Sequence, residues 1–234
     1  FAQNIFSINF LLGQVLTPAV QFVYDSHSSC CSVNISIVAA AFMYQPVNCS
    51  RKKLGPEISK MTSPETQLLS TARFDVVEVP AIVGEPNGKM RQIVRHPGAV
   101  TIIPVVDKDH VCLIKNYRVS VDKVLIELPA GTREPAEEAS ITAERELIEE
   151  TGYRCDKLEL LHRFLLSPGI LDEQMYLYVA TGLTAGPPAR EEGEEIDNLV
   201  VTWQQAINWV FNGEIEDAKT ISGLLMFDHL RKNR

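Results

Sequence analysis

A chain of 234 residues, 45% hydrophobic and 22% charged, can bury a sizeable core without disulfide or metal staples. Its 22 basic against 30 acidic residues leave a formal net charge of -8, which argues against the broad phosphate-backbone binding that needs a basic stripe. No nucleic-acid partner is expected, and an anionic ligand must be met locally, by a metal or by a few placed arginines.

The first sixty residues differ from the rest of the chain. Phe1 to Tyr24 carries no charge, and the first lysine or arginine is Arg51. Gln3, Asn4, Asn9, Gln14 and Gln21 interrupt the apolar run, so it makes a poor transmembrane helix, and it lacks the positive start of a secretory signal. Met61-Thr62-Ser63-Pro64-Glu65 looks like an ordinary protein start. Residues 1–60 are therefore read as lying upstream of the true start at Met61, with a real but poorly ordered extension as the alternative, and 61–234 as the functional domain. The competing reading, a membrane anchor, rests only on the missing charge; no membrane partner is expected. Five cysteines, odd in number and scattered without ligand spacing, point to a reducing cytoplasm rather than a disulfide framework.

From Phe74 the pattern becomes regular. Phe74–Val79 and Met90–Arg95 read as strands around a Glu85-Pro86-Asn87-Gly88 turn. Ala99–Asp107 and His110–Arg118 form a second pair, and Val124–Leu128 another strand. A helix comes next, then strands at Leu158–Leu166, Gln174–Thr181 and Val200–Thr202. Two helices close the chain, Trp203–Asn212 and one from about Asp217 to Leu230. Interspersed strands and helices predict an α/β fold, a mixed sheet covered by helices.

The informative stretch runs from Gly131 to Tyr153. Pro135 suits a first helical turn, and Gly152 suits the left-handed position that ends a helix. Ala136, Ala139, Ala143 and Leu147 recur at spacings of three and four, giving one buried face on a helix of about four turns. The polar face is unusual. Glu146, Glu149 and Glu150 crowd the C-terminal end, against the helix dipole, and the i,i+4 pair Glu146/Glu150 costs roughly 0.2–0.5 kcal/mol. Arg145 can offset Glu149 and reach back toward Glu137, but the other carboxylates have no evident cationic partner in the sequence. A hard divalent cation supplies one, because magnesium prefers oxygen ligands.

The segment resembles the Nudix box. Gly131, Glu137, Arg145, Glu146, Leu147, Glu149, Glu150 and Gly152 fill that pattern in register, with Tyr153 at its closing apolar position. Seven fixed matches arise by chance on the order of once in 10⁸ positions. The resemblance implies the Nudix fold, a mixed β-sheet sandwiched between α-helices, and a magnesium-dependent hydrolase, with manganese as the alternative ion. Carried over, Glu146 and Glu150 are the principal metal ligands and the main-chain carbonyl of Ala130 a further one. Glu149 assists or pairs with Arg145, Gly131 leaves room for metal and phosphates, and Glu137 orients Arg145 or the loop.

Features outside the box are similar to the ADP-ribose pyrophosphatase branch. Leu128-Pro129-Ala130-Gly131 leads into the box, Pro168 stands fifteen residues past its end, and Glu173 closes a Ser-Pro-Gly-X-X-X-Glu pattern. The acidic run Glu191–Glu195 resembles a loop that supplies a catalytic glutamate; the register against Ile196 favours Glu192 as general base and Glu194 as an extra metal ligand. Asn116-Tyr117-Arg118 resembles a step whose arginine approaches phosphates, with Arg95 and Arg91 as weaker candidates. Core packing is expected for Tyr117, Phe74 and Trp203. The leading substrate is ADP-ribose, cut to AMP and ribose 5-phosphate. The alternatives are another nucleoside diphosphate sugar, such as ADP-glucose or GDP-mannose, and a module of the same fold that senses a nucleotide without cutting it. The resemblance also implies a homodimer, with Phe74–Arg95 reaching across to the neighbouring site.

Overall fold

A computed structural model of the chain describes residues 65–82, 88–190 and 196–233, all within the unit Arg51–Arg234. The expectations for residues 1–60 and for the acidic run 191–195 lie outside the described residues. So does most of the turn at 85–88.

In chain order the elements are β1 (Thr66–Ser70), β2 (Asp75–Pro80), β3 (Met90–Arg95), β4 (Ala99–Pro104), β5 (His110–Arg118), β6 (Lys123–Glu127) and β7 (Ala130–Thr132). Helix α1 (Ala139–Glu146) runs on into a π-helical turn, Leu147–Thr151. Then come β8 (Tyr153–Leu165), β9 (Gln174–Ala185), β10 (Ile196–Thr202), α2 (Trp203–Asn212) and α3 (Ala218–Lys232). The strands form three sheets, ordered β1-β2-β3, β10-β5-β6 and β7-β4-β9-β8. All pairings are antiparallel except β4 with β9, which makes the four-stranded sheet mixed.

The layering arises from the period of the strands. Strand β4, Ala-Val-Thr-Ile-Ile-Pro, is buried along its whole length, as a strand covered on both faces must be. Val100 and Ile102 join Tyr176, Tyr178 and Ala180 of β9 against Ala139, Ala143 and Leu147 of the helix α1 and its π turn. Ile103, Leu177 and Val179 belong to a second cluster with Leu113, Leu128, Trp203 and Leu224, roofed by α2 and α3. Alternate residues thus feed opposite cores, and each fully buried aliphatic side chain contributes roughly 1.5–3 kcal/mol. The expected helix–sheet–helix sandwich is present.

Several boundaries differ from the sequence expectation. The helix begins at Ala139, with Glu138 as its cap, and not at Pro135. Pro135 and Ala136 lie in a turn, with Ala136 at φ 65°, because this loop satisfies its own backbone: Glu137 N–H donates to the Glu134 carbonyl, and Arg133 donates to the carbonyl of Glu137. Ala136 is therefore exposed, while the other three apolar positions are buried. Strands β1 and β7 are too short and too polar to show a period. Strands β8, β9 and β10 run four or five residues beyond their sequence signal, since pairs such as Tyr153↔Ala185 and Ile196↔Asn116 come from the partner strand. Trp203 is in the core, as expected, beside Phe227. Phe74 and Tyr117 are not: both are partly exposed, and Tyr117 donates to Asp122 from the face of β5 opposite Asn116 and Arg118.

Helix α3 is tied to the site region from a distance in sequence. The Asp217 carboxylate caps it, accepting from the Thr220 N–H at 2.9 Å and from the Thr220 hydroxyl at 2.5 Å. The same hydroxyl oxygen accepts the buried N–H of Leu128 at 2.8 Å. Thr220→Val keeps the volume and strands that N–H, a loss of about 1–3 kcal/mol. Thermal unfolding should show a Tm lower by several degrees; an unchanged Tm would mean the bond contributes nothing.

Candidate active site

Three pieces of backbone meet at the expected motif: the β6–β7 connection, the end of α1 and the π turn. Gly131 on β7 faces Glu146, whose carboxylate fills the space where a side chain would stand. A Cβ on Gly131 would lie 1.9 Å from the Glu146 Cδ. In the widened π turn Glu150 is 4% exposed, and its Oε2 accepts the Ala130 N–H at 2.8 Å. Single π turns inside α-helices are frequent at functional sites. Gly152 ends the turn at φ 76°, a conformation that disfavours side chains.

Arg145 binds the carboxylates together. Its Nη1 donates to Glu146 Oε1 and Glu149 Oε2, each at 2.8 Å, and its Nη2 lies 3.4 Å from Glu137 Oε2. Glu146 thus has the cationic partner that sequence spacing did not reveal. Burial works against the Arg145 charge, but bonds and fields from Glu137, Glu146 and Glu149 raise its pKa well above the usual arginine value. Burial likewise pushes Glu137 up, yet hydrogen bonds from Arg145, Thr142 and the Glu134 N–H hold its carboxyl below the ordinary range.

Arg145, Glu146, Glu149 and Glu150 line a cleft of about 1250 Å³ that also takes in Arg95, Arg118, Ala130 and Gly131. Arg118, at the end of β5, makes a bidentate pair with Glu127, Nε at 2.8 Å and Nη2 at 2.6 Å. Arg95 is held between Glu65 at 2.8 Å and Asp172 at 2.9 Å. Glu173 is not on the cleft wall; its Oε1 lies 3.7 Å from His96 Nδ1, which accepts the Gly98 N–H at 3.1 Å. Arg91 is exposed on β3, away from the cleft. Glu192 and Glu194 lie outside the described residues. The chain leading to them is anchored at the π turn, Ala189 N–H to the Glu149 carbonyl at 3.1 Å and Arg190 Nε to the Glu150 carbonyl at 3.3 Å.

Sequence reasoning missed four residues here. Asp172 accepts from both Arg95 and the His96 N–H. Glu127 and Lys219 form a buried ion pair. Arg133 lies over the Tyr176 ring, 5.1 Å from its centroid, with a buried Nε that has no partner among the described residues. One signal was available: Glu127 interrupts the apolar run Val124-Leu125-Ile126, where an acid is rarely buried without a partner. Of the cysteines, Cys112 and Cys155 are free, and burial pushes the Cys112 thiol up to about 11.

The donor set is all oxygen. Among the described residues no three His, Cys, Asp or Glu side chains form a ready metal cage. Magnesium typically uses one or two carboxylates, completing its shell with waters and substrate phosphates. Glu146, Glu149 and Glu150 beside a residue without a side chain fit an ion that arrives with its anion.

The pattern of a NUDIX domain matches residues 95–224, more than half of the chain. The chain belongs to the Nudix hydrolase family. It is 41% identical over 140 residues to the methanol dehydrogenase activator of Bacillus methanolicus, covering 58% of this chain and 76% of that protein. It is 40% identical over 139 residues to the ADP-ribose pyrophosphatase of Bacillus subtilis (strain 168), covering 58% and 75%. Among solved structures, an ADP compounds hydrolase matches with TM-score 0.60 at 24% identity, covering 74% of this chain and 97% of that one, a likeness of fold. Among the described residues no helix of this Nudix hydrolase is long and apolar enough to cross a membrane.

Arg145→Met removes the shared cation from three carboxylates. At neutral pH, without divalent metal, Tm should fall by roughly 3–8 °C. Glu137 is depressed in the folded state, so its contribution is present above the ordinary glutamate pKa and fades as pH drops through the folded value. The gap between the two proteins should therefore narrow as pH falls below the ordinary glutamate range. A constant gap across a calorimetric pH series would exclude an electrostatic origin.

Proposed function

We propose that this Nudix hydrolase cleaves the diphosphate bridge of a nucleoside diphosphate sugar, with ADP-ribose, cut to AMP and ribose 5-phosphate, as the substrate. One observation carries the reading. Glu146 packs against Gly131 and Glu150 against the Ala130 N–H, at the wall of a cleft that also holds Arg95 and Arg118. The cleft therefore offers oxygen donors for a cation beside guanidinium groups for phosphate. The B. subtilis relative, named as an ADP-ribose pyrophosphatase, supports the choice of sugar nucleotide.

Magnesium, with manganese as the alternative, would be held by Glu146, Glu150, the Ala130 carbonyl and Glu194. When bound it neutralises the diphosphate and makes phosphorus more electrophilic. The chain's own groups do the rest. Arg118 and Arg95 grip phosphate oxygens, a task suited to the planar guanidinium. Arg145 and Glu149 keep the carboxylates in register. Glu192 takes a proton from the attacking water as its oxygen bonds to one phosphorus and the bridging P–O bond breaks. Glu173, beside His96, shapes the substrate's entrance through the Gly98 turn.

The domain at work is 61–234, and the odd, scattered cysteines of the chain support a cytoplasmic location. It acts as a homodimer through the β1–β3 sheet, whose edge strand β1 is exposed and carries Leu68 and Leu69 outward. A full-length protein that runs as an active monomer by light scattering would end the dimer proposal.

A panel of nucleoside diphosphate sugars with magnesium, read as phosphate released by added phosphatase, tests the activity. ADP-ribose should be cleaved best. Glu146→Gln and Glu150→Gln should each lower kcat by about 10²–10³-fold or more with little change in Tm. Gly131→Ala, which forces Glu146 aside, should cost about 10²-fold. No cleavage of any member, with wild type and Glu150→Gln indistinguishable, would overturn the assignment.

A further inference from the structure

Arg118 reaches the cleft from the end of β5, but most of its hydrogen-bonding capacity is spent elsewhere. Nε donates to Glu127 Oε1 and Nη2 to Glu127 Oε2, which leaves Nη1 without a partner among the described residues. The Arg118 side chain is 38% exposed, whereas that of Glu127 is 1% exposed. Glu127 takes a second cation on the same Oε2, the ammonium of Lys219, which is also 3.0 Å from Asp217 Oδ1. Lys219 stands in the first turn of α3, 92 residues away in sequence and itself largely buried.

Such a group is a weak source of stability. Taking Glu127 and Lys219 out of water costs several kcal/mol per ion, and apolar replacements of buried pairs are often neutral or better. What a bidentate pair does supply is direction, because a carboxylate in the guanidinium plane removes the freedom of that plane to rotate. Burial would push the Glu127 carboxyl up, but Arg118 and Lys219 hold it below the ordinary range, so the charge that fixes Arg118 persists at neutral pH. Glu150, one of the three proposed metal-ligand side chains, is close enough to act on the charge of Arg118, and both groups line the cleft.

We infer that Glu127 is a positioning residue for substrate: clamped by Lys219 from α3, it sets the guanidinium of Arg118 so that the edge it does not itself occupy, Nη1, serves the diphosphate. The inference rests on the proposed activity. It assigns Glu127 and Lys219 no contact with substrate. Their work is done before binding, by sparing the ligand the cost of ordering a flexible arginine.

Steady-state kinetics of the full-length protein with ADP-ribose and magnesium test it, using Glu127→Gln, Arg118→Ala and the double variant, each checked for Tm. Glu127→Gln should raise KM about tenfold with kcat within about threefold, the signature of lost binding shared by ground and transition states. Arg118→Ala should raise KM at least as much. The double variant should be no worse than Arg118→Ala alone, because Glu127 has nothing left to position. A folded Glu127→Gln protein with wild-type KM, or effects that multiply in the double variant, would overturn the inference. Should Glu127→Gln not fold, Glu127→Asp decides: it keeps the charge but withdraws the carboxylate by one methylene. A KM raised threefold or more then supports the inference, and a wild-type KM overturns it. A wild-type protein that cleaves no nucleotide sugar would instead defeat the activity proposal, a result these variants cannot mimic.

Discussion

Three carboxylates at the C-terminal end of one helix must be held together against their mutual repulsion and against the helix dipole. The structure meets this constraint with one arginine, one backbone N–H and one missing side chain. Arg145 spans Glu146, Glu149 and Glu137, the Ala130 N–H takes Glu150, and Gly131 leaves the volume that Glu146 occupies. The π turn lets Glu150 face inward, and the loop before the helix bends to bring Glu137 under Arg145. The late start of α1 at Ala139 and the left-handed Ala136 belong to this arrangement, since a helix begun at Pro135 would require Ala136 to be helical.

A second layer of charge surrounds the first. Arg118, Glu127, Lys219 and Asp217 form one group, and Arg95, Glu65 and Asp172 another. Both place a guanidinium at the cleft and pair it with carboxylates. A chain with a net charge of -8 can in this way present local positive edges to an anion without a basic surface. The anchoring elements are remote from one another in sequence: the start of α3 grips Glu127 and Leu128 just before the Ala130-Gly131 step, and the β8–β9 loop grips Arg95 at the end of β3.

The family match spans residues 95–224, which contain the whole motif, and the likeness of fold to an ADP compounds hydrolase covers 74% of the chain. The two cores explain how the motif is carried. One face of β4 and β9 packs on α1 and its π turn, the other on α2 and α3, so the functional helix is braced by a sheet fixed from behind.

Much of the site was legible in the sequence. Spacing marks Arg145, Glu146, Glu149 and Glu150 as one unit, because helical periodicity and like-charge crowding are local properties of consecutive residues; the resemblance to the Nudix box adds Gly131. The near-continuous apolar run of β4 and the glycine that ends the helix are local in the same sense. Tertiary structure decided what depends on partners far along the chain. Arg95 meets Asp172 across 77 residues and Glu127 meets Lys219 across 92, and no periodicity links such pairs. Strands β1 and β7 take their form from the strands they pair with, and Phe74 and Tyr117 from the faces that pairing leaves open. Composition and spacing report which groups a segment carries; which buried charge answers which is settled only when the sheet brings distant segments together and water is excluded between them.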